Sequence, residues 1–247
     1  MSRHESLAVV LRRWPYSENS QLVHLLTPDF GLVSALAKGV HRLQSGRAGV
    51  LDTLALVKVS YTVHKDRDLR TLTHAELLDR FSSISRSIEA LNSAALLTEL
   101  AELAAPPDLP SSKPFLFLVS ALQELDLGAS GAVFLVPRLF EALTLMGLSP
   151  DLGPAELSAP AWFSISAGRL LDPSEARPEG EAMRIPPLLH LALQEAARGP
   201  FSVGGSGQSQ ADDCLTMLGQ FLGYHLERPP RAWQAIEERR STARATR

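Results

Sequence analysis

The hydrophobic period of this chain changes once, near residue 77, and a fold must accommodate both halves. Before that point apolar residues come in short alternating runs separated by turn chemistry, the signature of half-buried strands. Leu7–Leu11, Gln21–Leu26 and Leu32–Ala37 are three such runs. Trp14-Pro15-Tyr16-Ser17 is turn-prone and closes the first; Thr27-Pro28-Asp29-Phe30-Gly31 closes the second, with Pro and Gly in turn positions. Leu54, Leu56, Val57, Val59, Tyr61 and Val63 form a long fourth strand, Lys65–Asp68 a hairpin tip, and Leu69–Ala75 the returning strand. Five strands at this spacing, antiparallel by their short turns, predict a small closed or nearly closed barrel. An OB-fold and another small barrel such as an SH3-like one both satisfy the strand count.

From about Leu77 the period lengthens to three and a half. Ile84, Ile88, Leu91 and Ala95 share one helical face, and Leu96, Leu100 and Leu103 a neighbouring one, so burial on two sides is expected until Pro106-Pro107 stops the helix. Ser111 or Ser112 can cap the next helix, with Pro114 in its first turn and Gly128 at its end. A third covers about 130–146, with a kink or a fresh start at Pro137. Residues 149–183 interrupt this pattern with Pro, Gly, Ala and Ser, and 161–171 within them reads as a β-hairpin. Pro186-Pro187 opens a helix that runs to Gly199. Ser209 and Asp212 have the spacing of a capping box for a last long helix carrying Leu215, Leu218, Leu222 and Leu226. An arginine-rich, frayed tail is expected after Pro229-Pro230.

The formal net charge of −3 conceals an asymmetry: residues 1–80 carry 11 Lys+Arg against 8 Asp+Glu, and the remainder 13 against 19. No acid lies between Asp29 and Asp52, where Lys38, His41, Arg42 and Arg47 fall. Such a distribution fits either an anionic partner at one end or a solvated basic loop. The single cysteine, Cys214, excludes an intramolecular disulfide and a Cys-only zinc site and fits a reducing compartment. No signal-peptide pattern follows Met1, and no window approaches the roughly 18 apolar residues of a membrane helix, so a cytoplasmic location is expected.

Catalytic patterns are missing. There is no phosphate-binding Gly-x-x-x-x-Gly-Lys, no His-Glu-x-x-His and no Gly-x-Ser-x-Gly. Gly204-Gly205-Ser206-Gly207 has no following lysine, and Cys214, His190 and His225 sit in apolar helical patterns that suit packing roles. The remaining constellation is basic and aromatic. Lys38, His41, Arg42 and Arg47 lie in or beside the 39–49 connection, while Arg12, Arg13, Lys58, Arg67 and Arg70 add charge to the strands; Tyr16, Phe30 and Tyr61 are the candidate rings. In an OB barrel, cations at such positions track phosphates and rings stack on bases.

Taken in order, Val10–Glu18, Leu25–Gly31, Ala37–Arg42, Thr71–Leu77, Leu145–Leu152 and Tyr224–Pro229 resemble the bacterial DNA repair and recombination mediator family RecO. The resemblance implies an α+β fold: a five-stranded OB-fold over 1–78, then a helical domain over 79–247 with a degenerate zinc-ribbon-like hairpin insertion at about 149–183. It also implies a non-enzymatic function. Family members bind single- and double-stranded DNA, anneal complementary strands, and work with a RecR partner to load the RecA recombinase onto DNA coated by single-stranded-DNA-binding protein, whose acidic tail docks on the helical domain in some members.

By matching position Lys38 and Arg42 fall in the family's basic motif, and His41 stands where another cation is usual. The expected nucleic-acid-binding set is Arg12, Arg13, Lys38, His41, Arg42, Arg47, Lys58, Tyr61 and Arg70. Many relatives carry four cysteines around the hairpin; Asp151–Glu179 holds neither cysteine nor histidine here, so neither zinc nor any other cofactor is expected. Two other readings remain at this point: an RNA-binding OB module, and a protein adaptor whose barrel is only a scaffold.

Overall fold

A computed structural model describes residues 2–38, 49–64, 67–154, 160–172, 182–199, 207–226 and 228–245. It divides into two compact units, 1–128 and 129–247.

The first unit begins with five strands: β1 (Ser2–Ser17), β2 (Ser20–Thr27), β3 (Gly31–Lys38), β4 (Leu56–His64) and β5 (Arg67–Asp79). They close into a barrel in the order β1-β2-β3-β5-β4. Closure is made by a parallel β3–β5 pairing, Ala35 to Arg70 through Ala37 to Leu72, which corrects the expectation of antiparallel pairing throughout. This is the OB-like arrangement. Period-two alternation builds its interior: Val23 and Leu25, Val33, Ala35 and Ala37, and Val57, Val59 and Tyr61 all point into one core.

Two boundaries differ from the sequence reading. Trp14–Ser17 is not a turn: β1 runs through it to a tight turn at Glu18–Asn19. β4 pairs only with Ser2–Val9, so the second half of β1 is an edge strand, where Pro15 costs no ladder bond on its open side. The fifth strand also continues past Ala75 to Asp79, because Leu77 still packs on the core and pairs with Val57. A 3-10 turn at Ile84–Arg86 follows, then α1 (Ile88–Ala104), whose N-cap Ser87 accepts from the Ala90 N–H, and α2 (Ser112–Asp126). α1 is not buried on both apolar faces: Leu96, Leu97 and Leu100 are in the core, whereas Ile88, Leu91 and Leu103 are exposed.

The connection between α1 and α2 clasps the β2–β3 turn. Leu32 N–H donates to Pro106 O and Ser111 N–H to Pro28 O. Gly31, at φ +59°, sits under this clasp.

The second unit holds α3 (Gly131–Leu145), which runs through Pro137, then β6 (Ala161–Ser164), β7 (Arg169–Leu170), β8 (Ala182–Ile185), α4 (Pro187–Arg198), α5 (Gly207–His225) and α6 (Arg231–Ala245). The expected hairpin is a three-stranded sheet, β7-β6-β8. Ser209 and Asp212 lie inside α5 and do not cap it. The expected tail is the helix α6: Trp233 and Ile236 are buried, and Arg240 reaches Asp212 and Thr216 on α5. Gly219 permits that packing, since a Cβ there would lie 2.0 Å from the Trp233 ring.

Aromatic packing and backbone hydrogen bonds hold the small sheet. Phe163 is fully buried with its ring 6.0 Å from that of Phe221. His225 Nε2 donates to Ile165 O at 2.8 Å, and His190 Nε2 to Leu152 O at 2.6 Å. The carbonyls can only accept, which fixes the proton on Nε2 in both rings. Cys214 is buried, and burial pushes its thiol up to about 12, so it is a neutral core group.

Candidate nucleic-acid interface

Beyond Val10, β1 contributes nothing to the barrel's interior and pairs with β2 alone, and its outer face continues that of β2 and β3. These three strands form the arm, with β3 still joined to β5 at Ala35–Ala37. Residues 12–17 of β1 are all exposed, and β2 and β3 alternate strictly between core and outer face over 20–24 and 31–38. The pairing register then writes out the outer face in rows. Arg12, His24 and Ser34 make one row; Trp14, Leu22 and Leu36 the next; Ser17, Ser20 and Lys38 the third. The Arg12 and Lys38 rows are four residues apart on β3, about 13 Å at the strand rise. Trp14, 43% exposed, lies between them, and Tyr16, 64% exposed, follows on the same edge strand. Cations that track a backbone and a ring on which a base can stack are the two elements that single-strand-binding surfaces combine.

Carboxylates hold several of these cations. The Glu102 carboxylate, from the last turn of α1, places Oε2 2.7 Å from Arg12 Nη2 and Oε1 3.4 Å from His24 Nδ1. The hydrogen bond with His24, and then the charge of Arg12, hold this carboxyl below its ordinary value of 4.5 despite partial burial. Asp52 bridges two guanidiniums, Arg13 at 3.2 Å and Arg80 at 3.1 Å. Arg80 is thus a further cation beside the arm, close to Gly49. Sequence reasoning passed over both Trp14 and Arg80. The available signal for Trp14 was its parity with Arg12 on a strand.

Glu102 has a consequence for stability. A carboxyl lowered by folding contributes stability that is complete above its unfolded value and is lost as pH falls through the folded one. Its protonation also leaves Arg12 and His24 facing each other without a counter-charge. The melting temperature of the wild type should therefore fall more steeply than that of Glu102→Gln between about pH 5 and about pH 3, as followed by circular dichroism.

The other expected site residues are distributed differently. Lys58 pairs with Leu7 and Glu76 on the β1–β4–β5 side, away from the arm. Arg70 is paired with Asp108 in the clasp and lies 5.5 Å over the Tyr61 ring, at the end of the barrel closed by the β2–β3 turn. Tyr61 itself is fully buried in the core, so neither face of its ring can receive a base. Burial pushes its hydroxyl up to about 12, against the pull of Arg70. Phe30 also packs inward, edge-on to Tyr61. His41, Arg42 and Arg47 lie outside the described residues, as does the side chain of Arg67.

The structural zinc implied by the family resemblance does not fit the donors present. The only cysteine is Cys214 in the core of α5, and His190 and His225 commit Nε2–H to carbonyls. Among the described residues no three His, Cys, Asp or Glu side chains converge.

Comparison with known proteins gives a consistent assignment. Residues 1–81 match the family described as Recombination protein O N terminal, and residues 85–234 the one described as Recombination protein O C terminal. A DNA repair protein RecO from Nocardioides sp. is 30% identical over 241 residues, covering 93% of this chain and 97% of the relative. One from Bifidobacterium adolescentis is 27% identical over 248 residues, 96% and 100% of the two chains. A third, from Rhodopirellula baltica, is 35% identical over 144 residues, 58% of this chain and 53% of the relative. In that match and several like it the chain spans little more than half the relative's length. With both halves matched in order, and the OB-like barrel and helical unit in place, the chain belongs to the RecO family of DNA repair and recombination proteins.

Proposed function

We propose that the outer face of the β1–β2–β3 arm, together with the 39–48 segment that leaves it, binds DNA strands and promotes their pairing. The observation that carries this reading is the row order on the arm: an exposed Trp14 between the Arg12 and Lys38 rows. Single strands are held by phosphate contacts and ring stacking, and duplex by phosphate contacts alone. The barrel, residues 1–78, supplies this surface, to which Arg42, His41 and Arg47 add charge. No bond is made or broken by the protein; it acts as a mediator that brings complementary strands together.

Membership in the RecO family supports the rest of the reading. The protein works with a RecR-like partner, meets single-stranded-DNA-binding protein through its acidic tail, and so helps place RecA on coated DNA. The proposed setting is the cytoplasm, at the nucleoid. None of the described helices is long and apolar enough to cross a membrane.

Two complementary oligonucleotides carrying a donor and an acceptor dye test this directly. The protein should accelerate the rise in energy transfer at low salt, and Lys38→Ala with Arg42→Ala and Arg47→Ala should slow it. If about five phosphates are contacted, single-strand affinity should fall roughly a hundredfold between about 50 and about 200 mM salt. Failure to accelerate pairing, with no binding at low salt, would favour the adaptor reading; preference for RNA over DNA of the same sequence would favour the RNA-binding one.

A further inference from the structure

We infer that Glu102 is a built-in competitor for the DNA strand: its carboxylate occupies the Arg12 end of the arm's outer face and must be displaced by a phosphate for the full surface to engage. This rests on the arm being the strand-binding surface. Glu102 stands in the last turn of α1, where the negative end of the helix dipole disfavours an acid and where no basic residue offsets it within the helix. Its partners come from outside, one oxygen to β1 and the other to β2: Arg12 at 2.7 Å and His24 at 3.4 Å. Those two residues are neighbours in one row of the outer face. The carboxylate thus sits on the arm much as a phosphate would, with one oxygen on each of two donors.

The exchange is physically accessible. The Arg12 side chain is 47% exposed, and an ion pair with one partner so wet is held weakly. Arg12 can therefore trade Glu102 for a phosphate without losing a buried partner. While Glu102 is in place it cancels the charge of Arg12, and it repels any phosphate that approaches the row. A single phosphate gains little by displacing it. A strand already held at Trp14 and Lys38 makes the same exchange within one complex, so the competitor favours long strands over mononucleotides.

The test is anisotropy of a labelled single-stranded oligonucleotide titrated with Glu102→Gln, which keeps the side chain's length and one accepting oxygen. Glu102→Ala is a second variant, should the amide pair too well with Arg12. Glu89→Gln, an exposed acid in the first turn of α1, makes the same change in net charge elsewhere. Removing an exposed ion pair that the strand must otherwise break predicts up to about fivefold tighter binding near 0.1 M salt for both Glu102 variants, with the salt slope unchanged because the same phosphates are contacted. Glu89→Gln should stay within about twofold, since a distant surface charge is largely screened. An unchanged or weaker Glu102→Gln and Glu102→Ala, with Arg12→Ala still costing affinity, would overturn the competitor and leave the binding surface intact. An equal gain from Glu89→Gln would reduce the effect to net charge and overturn it as well. If neither the Glu102 variants nor Arg12→Ala changes affinity, the binding surface itself is misplaced and the competitor falls with it.

Discussion

Gly31→Ala should lower the melting temperature by about 10 °C, the largest effect expected from one added methyl group in the first unit. The new Cβ would stand 2.2 Å from Pro106 O and 2.5 Å from Leu109 O, both backbone atoms of the clasp between α1 and α2. Neither can swing aside as a side chain could. Residue 31 also holds φ at +59°, where an L-residue with a Cβ costs about 1–2 kcal/mol. Adding a forced backbone shift of about 1–3 kcal/mol gives a total near 3 kcal/mol. The loss should act locally. Leu32 N–H would lose Pro106 O, and the Thr27 hydroxyl, which donates to Gly31 O and accepts from Phe30 N–H, would lose its geometry. Calorimetry reads the outcome, and a melting temperature within about 2 °C of wild type would contradict the clasp.

Trp14→Ala should weaken single-strand binding about tenfold while leaving the fold intact. Stacking on one aromatic ring is worth about 1–3 kcal/mol per base, and Trp14 is the largest exposed ring on the arm. Its removal takes nothing from the barrel core, whose residues lie on the opposite face of the same strands. Trp14→Phe should recover most of the affinity, because a smaller ring still offers a π face. The salt slope should stay the same in both variants, since no phosphate contact is touched. A parallel loss of affinity and slope would mean that Trp14 only supports the Arg12 row.

The barrel was legible because alternation records the core directly. Val57, Val59 and Tyr61 share one parity, and all three are buried. That same parity argued against Tyr61 as a stacking platform; its tyrosine identity drew attention that its position did not support. Pro15 had the opposite effect. It marked Trp14–Ser17 as a turn, although a proline on an edge strand breaks no ladder, and so the strand parity that sets Trp14 beside Arg12 was not read.

What remained hidden depends on tertiary placement. Arg12 and Glu102 are ninety residues apart in sequence, and nothing local announces their ion pair. The parallel β3–β5 closure is equally non-local. α6 is a different case: Trp233, Ile236 and Arg240 recur at spacings of three and four, a helical pattern obscured by the arginine-rich composition around it.

The most direct test of the account is anisotropy of a labelled single-stranded oligonucleotide against three proteins: wild type, the arm variant Arg12→Ala with Trp14→Ala and Lys38→Ala, and Lys58→Ala on the other side of the barrel. Two lost phosphate contacts and one lost stack predict at least a hundredfold weaker binding for the arm variant at about 0.1 M salt, with the slope flattened by about 1.4. Lys58→Ala should change affinity less than about twofold, because a solvated charge off the binding face acts only through a screened field. An arm variant that binds like wild type, or a Lys58→Ala loss that matches it, would contradict the assignment of DNA binding to the outer face of the arm.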